Sequence, residues 1–438
     1  MGYYLYVLLR LYKEFHKWDI RRMSRKMNRD EFLTEKWAAY PQPLPAHLGA
    51  NDWCLGKIAQ KDGVTLCFVG RHQTFDIGSQ QPTDPTLGMA VPPEILREGD
   101  VVACHRATGA VYLLSPNLQA ESNVLHSHSS RDATVAWQTF LETVRNYFIQ
   151  QGFRYWHTPC LLPSPGIDAH IDFFTAQGAR TQRSYFLPTS PEFALKKAVA
   201  DGQEKVFEIK PCFRDDDSSP THSAEFLMLE WYRAYADKWE LFEDFLSLVR
   251  FVVKELNLQL PISLSASRTS IAEVFLQKLN FQLLPSTTEK ELRDVIAKHD
   301  LHANPNDDWD DLFFRLYIEF IEPSLGFAGP QAVYNFPWSQ GSLSRKTADG
   351  WADRFEIYWQ GLELANAYQE QNDPLQMKMR YESEIEKRRR AQKSPYPQDP
   401  QFLAKMEAGF PPCAGIALGL ERLWMVLNKI STIQSLRP

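Results

Sequence analysis

The stretch from Val206 to Tyr235 sets residue types suited to ionic chemistry on an otherwise apolar scaffold. Val206 to Arg214 (V-F-E-I-K-P-C-F-R) reads as a strand and Asp215 to Ser223 as a polar loop. Glu225 to Tyr235 (E-F-L-M-L-E-W-Y-R-A-Y) reads as a returning strand, so the segment is an antiparallel hairpin. Side chains alternate across a strand, which puts Phe226, Met228, Glu230 and Tyr232 on one face. An aromatic plate, a carboxylate and a phenol then share a surface. Glu230 stands between Leu229 and Trp231, where burying a carboxylate costs several kcal/mol unless a cation or donors meet it. A cationic ligand would meet it, and so would an internal ion pair with Arg233 or Arg214. The chain has no G-x-x-x-x-G-K-[ST] loop and no G-x-G-x-x-G after a strand, so a P-loop or Rossmann phosphate site is not expected.

These residues carry a resemblance. F-R, an acidic loop and H-x-x-E-F-x-M-L-E-W-Y resemble motif 2 of the class II aminoacyl-tRNA synthetases. G-I-A-L-G-L-E-R-L (Gly415 to Leu423) resembles their motif 3, and G-F-R-Y-W-H-T-P, ending at Thr158-Pro159, is similar to motif 1. T-S-P-E-F-A-L-K-K (Thr189 to Lys197) and G-L-E-L-A-N-A-Y-Q-E (Gly361 to Glu370) resemble the lysine-specific branch. The resemblance implies an α+β fold: a class II synthetase-like antiparallel sheet flanked by helices, dimerised through motif 1. It implies that Arg214 and Arg422 are the catalytic cations, with Arg214 on the α-phosphate of ATP and His222 near the distal phosphates. Phe226 and Arg422 would sandwich adenine, and Asp216 stands where the family has a glutamate beside that base. Glu356 and Glu363 would carry Mg²⁺ between the phosphates. The chemistry is consistent with these residue types, because a substrate carboxylate attacking a phosphate needs positive charge and no general base.

On the same resemblance, Glu192 would take the backbone-side amine of the amino acid. Glu230 and Glu370, with Tyr232, would take its far end, and Asn366 completes the set. Each desolvated ammonium needs a charge-assisted partner, so a diamino acid such as lysine fits the layout. The lysyl enzymes usually carry alanine where this chain has Ser190 and glycine where it has Ala417. Both residues match instead the elongation factor P (R)-β-lysine ligase family, as do P-G-I-D-A-H-I (Pro165 to Ile171) and Y-N-F-P-W-S-Q-G-S-L (Tyr334 to Leu343). A pocket narrowed by one methyl and offered one hydroxyl would prefer the displaced amine of β-lysine, a discrimination of ~1–3 kcal/mol. The implied activity is ATP-dependent adenylation of (R)-β-lysine or lysine and transfer to a lysine side chain of elongation factor P. The alternatives are a lysyl-tRNA synthetase with a reduced anticodon-binding domain and an inactive paralogue serving as a binding module. Glu363, Asn366 and Glu370 do not share strand parity, which leaves either one helix face or a bulged strand.

The elements that must position these residues occupy 130–438, and two regions precede them. Residues 1–40 place Leu8, Leu9, Tyr12, Phe15 and Trp18 at helical spacing among Arg10, Lys13 and Lys17. This reads as a peripheral or membrane-interface helix, or as an upstream extension, since Met23 and Met27 are alternative starts. The apolar run Tyr3 to Leu9 is too short to cross a bilayer, and a cytoplasmic location follows. After the extended linker Pro41 to Pro45, residues 48–118 read as a small β-barrel with an oligonucleotide-binding-like segment, Arg97 to Val102. Its expected strands are Trp53 to Ile58, Val64 to Val69, Gln73 to Ile77, Asp100 to His105 and Ala110 to Leu114. No basic or aromatic stripe runs through it, and the net charge of -6 (48 Lys and Arg against 54 Asp and Glu) also speaks against tRNA as the acceptor. Glu121 to Arg131 reads as a second joint, and His126 and His128 lack partners at metal-ligand spacing. From Asp132 as N-cap, Trp137, Phe140, Leu141, Val144, Tyr147 and Phe148 define a helix closed by Gly152, followed by a strand from Phe153 to His157. The charge-dense tract Lys378 to Lys393 mixes signs as a solvated helix does. The six cysteines are widely spaced and read as packed thiols.

Overall fold

The structure, a computed structural model, describes residues 53–60, 64–68, 71–75, 96, 100–105, 111–115, 128–167, 171–217, 219–259, 265–390, 392–393 and 397–436. The expected helix over 1–40 and the linker Pro41 to Pro45 lie outside the described residues. The chain divides into two units, Met1–Val135 and Ala136–Pro438. In the first, β1 (Trp53–Gln60), β2 (Val64–Phe68), β3 (Arg71–Phe75), β4 (Val101–His105) and β5 (Val111–Ser115) form an antiparallel sheet in the order β3-β2-β1-β4-β5. Each overlaps one of the expected strands. Pairing of β3 with β5, which would close a barrel, is not among the described contacts, and the oligonucleotide-binding-like reading stays a proposal.

The helix α1 (His128–Gln150) begins upstream of the expected cap, so Asp132 lies inside it. No glycine or proline stands between His128 and Asp132 to stop the helix, and propagation outweighs the capping preference. Phe140, Val144, Tyr147 and Phe148 are buried along one stripe. Gly152 closes the helix at φ +79, with Phe153 N donating to Phe148 O (2.9 Å) and Gly152 N to Ile149 O (3.1 Å), a Schellman arrangement. The strand that follows, β6 (Arg154–Tyr155), is shorter than Phe153 to His157 because only two residues pair before Thr158-Pro159 turns away.

Then come the hairpin β7 (Thr175–Gln177) and β8 (Ser184–Phe186), α2 (Glu192–Ala200), β9 (Lys205–Phe213), β10 (Glu225–Ala234) and α3 (Lys238–Glu255). A helical insertion runs from β11 (Ser267–Ser270) through α4 (Ile271–Leu279), α5 (Glu289–Lys298) and α6 (Trp309–Leu316) to β12 (Gln331–Phe336). The chain finishes with β13 (Ala352–Trp359), β14 (Leu362–Gln369), α7 (Pro374–Arg390), α8 (Pro400–Glu407), β15 (Cys413–Gly419) and α9 (Leu420–Asn428). Capping boxes start α3 (Asp237 with Glu240), α4 (Ser270 with Glu273), α5 (Thr288 with Glu291) and α6 (Asp308 with Asp311).

Eight strands form the main sheet in the order β11-β12-β13-β14-β15-β10-β9-β6. It is mixed rather than wholly antiparallel: β11 runs parallel to β12 and β6 parallel to β9. Each of these edge pairs is joined by a long crossover, which delivers the second strand in the same direction as the first. The inner strands are antiparallel, and alternation gives the sheet two unlike faces. Leu229 and Trp231 of β10, Ile416 and Leu418 of β15, Ala365 and Ala367 of β14, and Phe355 and Ile357 of β13 are buried against α1 and α3 in one apolar core. Their neighbours in sequence face the other way.

The tract Lys378 to Lys393 departs from its solvated reading. It forms most of α7, where Met377, Arg380, Tyr381, Glu384 and Arg388 make a buried stripe. Arg380 stacks 3.8 Å over the Trp338 ring, and Arg388 donates to Ile171 O (3.1 Å), so two guanidiniums latch the helix to neighbouring loops. Composition registered the charges, but the helical period carried the burial. Cys104, Cys212 and Cys413 are buried and Cys160 is exposed, all as free thiols. Among the described residues no helix is long and apolar enough to cross a membrane. The Gly152 position has open space for a methyl, so Gly152→Ala should cost about 1 kcal/mol from backbone strain alone. Denaturant melts of the two proteins measure this.

Candidate active site

Three adjacent strands make the floor of a cleft of about 990 Å³. Register across them sets Glu230 of β10 directly beside Ala417 of β15, and Ala417 beside Asn366 of β14. One step along, Tyr232, Gly415 and Tyr368 form the neighbouring row. The period-two face expected of the returning strand is therefore the cleft face, since Phe226, Met228, Glu230 and Tyr232 all line it. Gly415 is glycine for a steric reason: a Cβ there would lie 2.1 Å from Tyr232 Cε1 and 2.6 Å from Glu370 Oε1. The equivalent reasoning fails at Gly419, where a Cβ would meet only the Arg422 side chain at ordinary contact distance.

The parity conflict among Glu363, Asn366 and Glu370 is resolved by a bulged strand, and the helix alternative is set aside. One step on β13, from Ile357 to Tyr358, faces two on β14, from Ala365 to Glu363. The extra residue turns Glu363 to the same side as Asn366, Tyr368 and Glu370, and all four line the cleft.

At one end the cleft is acidic. Glu230 is buried and accepts hydrogen bonds from Tyr232 Oη (2.6 Å) and Ser190 Oγ (3.1 Å). These donors replace the internal ion pair considered for it, since Arg233 pairs with Asp244 and Glu240 instead. Burial, reinforced by the charge of Glu192, pushes the Glu230 carboxyl up to about 8. Burial likewise pushes Glu370 up to about 7, against the pull of a lysine, Lys196, whose Nζ lies 2.7 Å from Glu370 Oε2 and 2.5 Å from Glu192 Oε1. Glu370 Oε1 has no hydrogen-bond partner, although it is buried. Ala417 lies between Glu230 and Asn366 with its methyl on the floor, and Asn366 donates from Nδ2 to Tyr368 Oη (3.2 Å).

The other end is cationic. Arg214 lies 5.2 Å over the Phe226 ring with a buried Nε that has no partner. Arg422 donates from Nη1 to Glu363 O (2.7 Å) and from Nη2 to His222 Nε2 (2.9 Å). His222 must then hold its proton on Nδ1, which faces Ser219 Oγ at 2.7 Å. Burial and then the Arg422 charge lower the pKa of this imidazole. Asp216 lines the cleft near them. Glu421 accepts the Leu227 backbone N–H at 2.9 and 3.0 Å, which pins the strand beside Phe226.

The pair Glu356 and Glu363 splits. Glu363 lines the cleft, whereas Glu356 is buried beside it, bound by Arg354 and by Tyr358 Oη (2.5 Å). Burial, eased by Arg354 and reinforced by Glu363, pushes Glu356 up to about 7. Among the described residues no three carboxylate, histidine or cysteine groups converge as a metal site. Two carboxylates that repel each other, with the remaining oxygens to come from a phosphate ligand, fit a magnesium ion, which keeps few protein ligands.

The family profile described as tRNA synthetases class II (D, K and N) matches residues 120–438. Proteins named elongation factor P (R)-β-lysine ligase are similar over most of their length. The one from Proteus mirabilis is 33% identical over 301 residues, 67% of this chain and 90% of the relative. The one from Edwardsiella ictaluri is 33% identical over 296 residues, 66% and 88%, and the one from Haemophilus influenzae 32% over 289 residues, 65% and 87%. The chain belongs to the elongation factor P (R)-β-lysine ligase family of class II synthetases. It is therefore an ATP-dependent ligase.

Several residues of the ligase cleft went unnoticed in the sequence. Glu208 accepts from Thr158 N (2.9 Å) and Thr158 Oγ1 (2.6 Å), and Lys210 Nζ donates to Thr158 O (2.8 Å), so this buried pair fixes the end of motif 1 at the cleft rim. Their shared parity on β9 was the available signal. Lys196 was signalled by its i, i+4 relation to Glu192, and Arg354 by its parity with Glu356. Replacing Gly415 by alanine should displace Tyr232 and Glu370 and destabilise the ligase by about 1–3 kcal/mol. A thermal melt measures the stability, and equilibrium dialysis with radiolabelled lysine should show loss of amino-acid binding.

Proposed function

We propose that this ligase activates (R)-β-lysine, or lysine, as an aminoacyl-adenylate and passes the acyl group to a lysine side chain of elongation factor P. One observation carries the reading: the acidic groups Glu192, Glu230 and Glu370 and the guanidiniums Arg214 and Arg422 line opposite ends of one cleft whose floor is Ala417. The names of its relatives support the acceptor.

In this reading the amino acid binds with its ammonium groups at the acidic end. Glu192 takes the amine nearer the carboxylate, and Glu230 and Glu370 take the distal one, where the unpartnered Glu370 Oε1 is an acceptor ready for it. The substrate carboxylate then attacks the α-phosphorus of ATP, the bond to the β-phosphate oxygen breaks and pyrophosphate leaves. Arg214 offsets the charge that builds at the α-phosphate. Arg422 exchanges its contacts to the Glu363 carbonyl and His222 for the adenine face opposite Phe226, where a planar guanidinium stacks as lysine does not. His222, freed from Arg422, turns Nε2 toward the distal phosphates, and Asp216 sits at the base. A magnesium ion, when bound, would be held by Glu363 and Glu356 and would supply positive charge to the phosphates. In the second half-reaction a neutral lysine amine of the acceptor attacks the acyl carbonyl, and AMP departs. Ser190 and Ala417 shape the space beside the amine: the methyl fills volume on the floor while the hydroxyl adds a donor.

The same reading includes a homodimer paired through motif 1 and a cytoplasmic enzyme. Ile149 and Leu161, exposed at 51% and 53% on either side of that motif, support the first. Sedimentation should give twice the chain mass.

Pyrophosphate exchange in the presence of (R)-β-lysine, lysine or neither, followed by addition of elongation factor P or tRNA, tests the whole scheme. Exchange should require the diamino acid and label only the protein acceptor. Arg214→Ala and Arg422→Ala should each lower exchange on the order of a hundredfold or more. Ala417→Gly should move the preference toward α-lysine by roughly tenfold. Because free Glu230 and Glu370 hold protons below about 8 and about 7, which an incoming ammonium must displace, KM for the diamino acid should rise as pH falls through those values.

A further inference from the structure

The side chain of Lys196 is completely buried with its ammonium against two carboxylates, and the reaction scheme does not use it. It projects from α2, whose Leu195, Ala198 and Val199 pack into a core with Phe402 and Met406 of α8. The adjacent lysine goes elsewhere: Lys197 pairs with Asp399 at 2.8 Å. Lys196 Nζ bridges two carboxylates from separate elements, Glu192 of α2 (2.5 Å) and Glu370 just past β14 (2.7 Å). Those are the carboxylates assigned to opposite ends of the diamino acid. Burial opposes the charge on Lys196, but the two carboxylates outweigh it and its pKa is raised.

We propose that Lys196 is a positioning residue that sets both the spacing and the net charge of the diamine site. The inference rests on the reading of the cleft as an amino-acid site. A single ammonium tied to Glu192 and Glu370 holds their carboxylates at a fixed separation, and a diamino acid is measured against that separation. It also corrects the charge. Glu192, Glu230 and Glu370 supply three carboxylates, and the one internal cation leaves two negative charges for the two ammonium groups of the substrate. A monoamine acid of similar length would leave one of these carboxyls holding a proton in place of an ammonium, and so would forfeit a charge-assisted pair. Lys196 is therefore a determinant of diamine over monoamine selectivity, although it does not line the cleft.

The titratable groups facing this cluster are Glu192 on α2, Glu230 and Tyr232 on β10, Glu370 after β14 and Cys413 on β15. Removing the Lys196 charge should push the neighbouring carboxylates further toward their protonated forms, so the pH at which substrate binding weakens should move up.

The experiment compares the full chain with Lys196→Met and Lys196→Arg in pyrophosphate exchange, recording KM for lysine, (R)-β-lysine and norleucine, KM for ATP, and the pH profile of each. In Lys196→Met the diamine KM should rise on the order of a hundredfold, the preference over norleucine should shrink by a comparable factor, and the pH profile should shift upward while KM for ATP stays within about twofold. Lys196→Arg, which keeps the charge but changes the bridge, should restore the pH profile and only part of the diamine affinity. Unchanged diamine selectivity and pH profile in folded Lys196→Met, or parallel losses for ATP and amino acid in either variant, would overturn the proposal. If Lys196→Met does not fold, Lys196→Arg decides by its KM values alone: a raised diamine KM with KM for ATP unchanged supports the proposal, and an unchanged diamine KM overturns it. A native protein that exchanges with no diamino acid would instead remove the underlying reading, and this inference with it.

Discussion

Cross-strand register between β10, β15 and β14 is the constraint on which the rest depends. With Glu230 opposite Ala417 and Ala417 opposite Asn366, every second residue on three strands faces the cleft and the others face the apolar core. A slip of one residue would bury Glu230 among α1 and α3 and expose Leu229 and Trp231 to the cleft. The apolar face therefore determines the polar one. Trp231, whose ring packs tilted against Phe148 with centroids 5.0 Å apart, is as much a part of the site as Glu230, because it sets which way Glu230 points.

The cleft collects like charges, which costs free energy in the absence of a ligand. Glu230 and Glu370 are held out of water at the amine end, and Glu356 beside Glu363 at the other. Their carboxyls are shifted upward by burial, so part of that cost is relieved by protons rather than by ion pairs. The internal cations are placed to relieve the rest without blocking the floor. Lys196 reaches Glu370 from behind, Arg354 reaches Glu356 along its own strand, and Arg422 rests on the Glu363 carbonyl. In the proposed reading a diamino acid and a polyphosphate bring the opposite charges, so that binding would relieve an electrostatic imbalance present in the free protein.

Steric economy complements this electrostatics. Gly415 gives Tyr232 and Glu370 room to meet over β15, and one position further the Ala417 methyl takes room away. Two small residues on one strand thus do opposite things, one leaving room at the acidic end of the cleft and the other filling it. The five-stranded sheet of the first unit precedes residue 120, where the match to the family profile begins.

Alternation of polar and apolar residues was enough to show the hairpin, the cleft face of β10 and the helix stripe of α1, because these are local periodicities that only one packing satisfies. Resemblance to the family motifs pointed to both arginines and to the three acidic positions of the lysine-like site, and all five line one cleft. Three features required the folded chain. The bulge in β14 depends on a register mismatch with β13, which neither strand encodes alone. The burial of Arg380 and Arg388 depends on loops far away in sequence that receive their hydrogen bonds. The bridge from Lys196 to Glu370 joins residues 174 positions apart, from 370 and 196, so local spacing shows its Glu192 partner and only the folded sheet shows the second. Local pattern decides which way a side chain faces; only tertiary contact decides what it meets there.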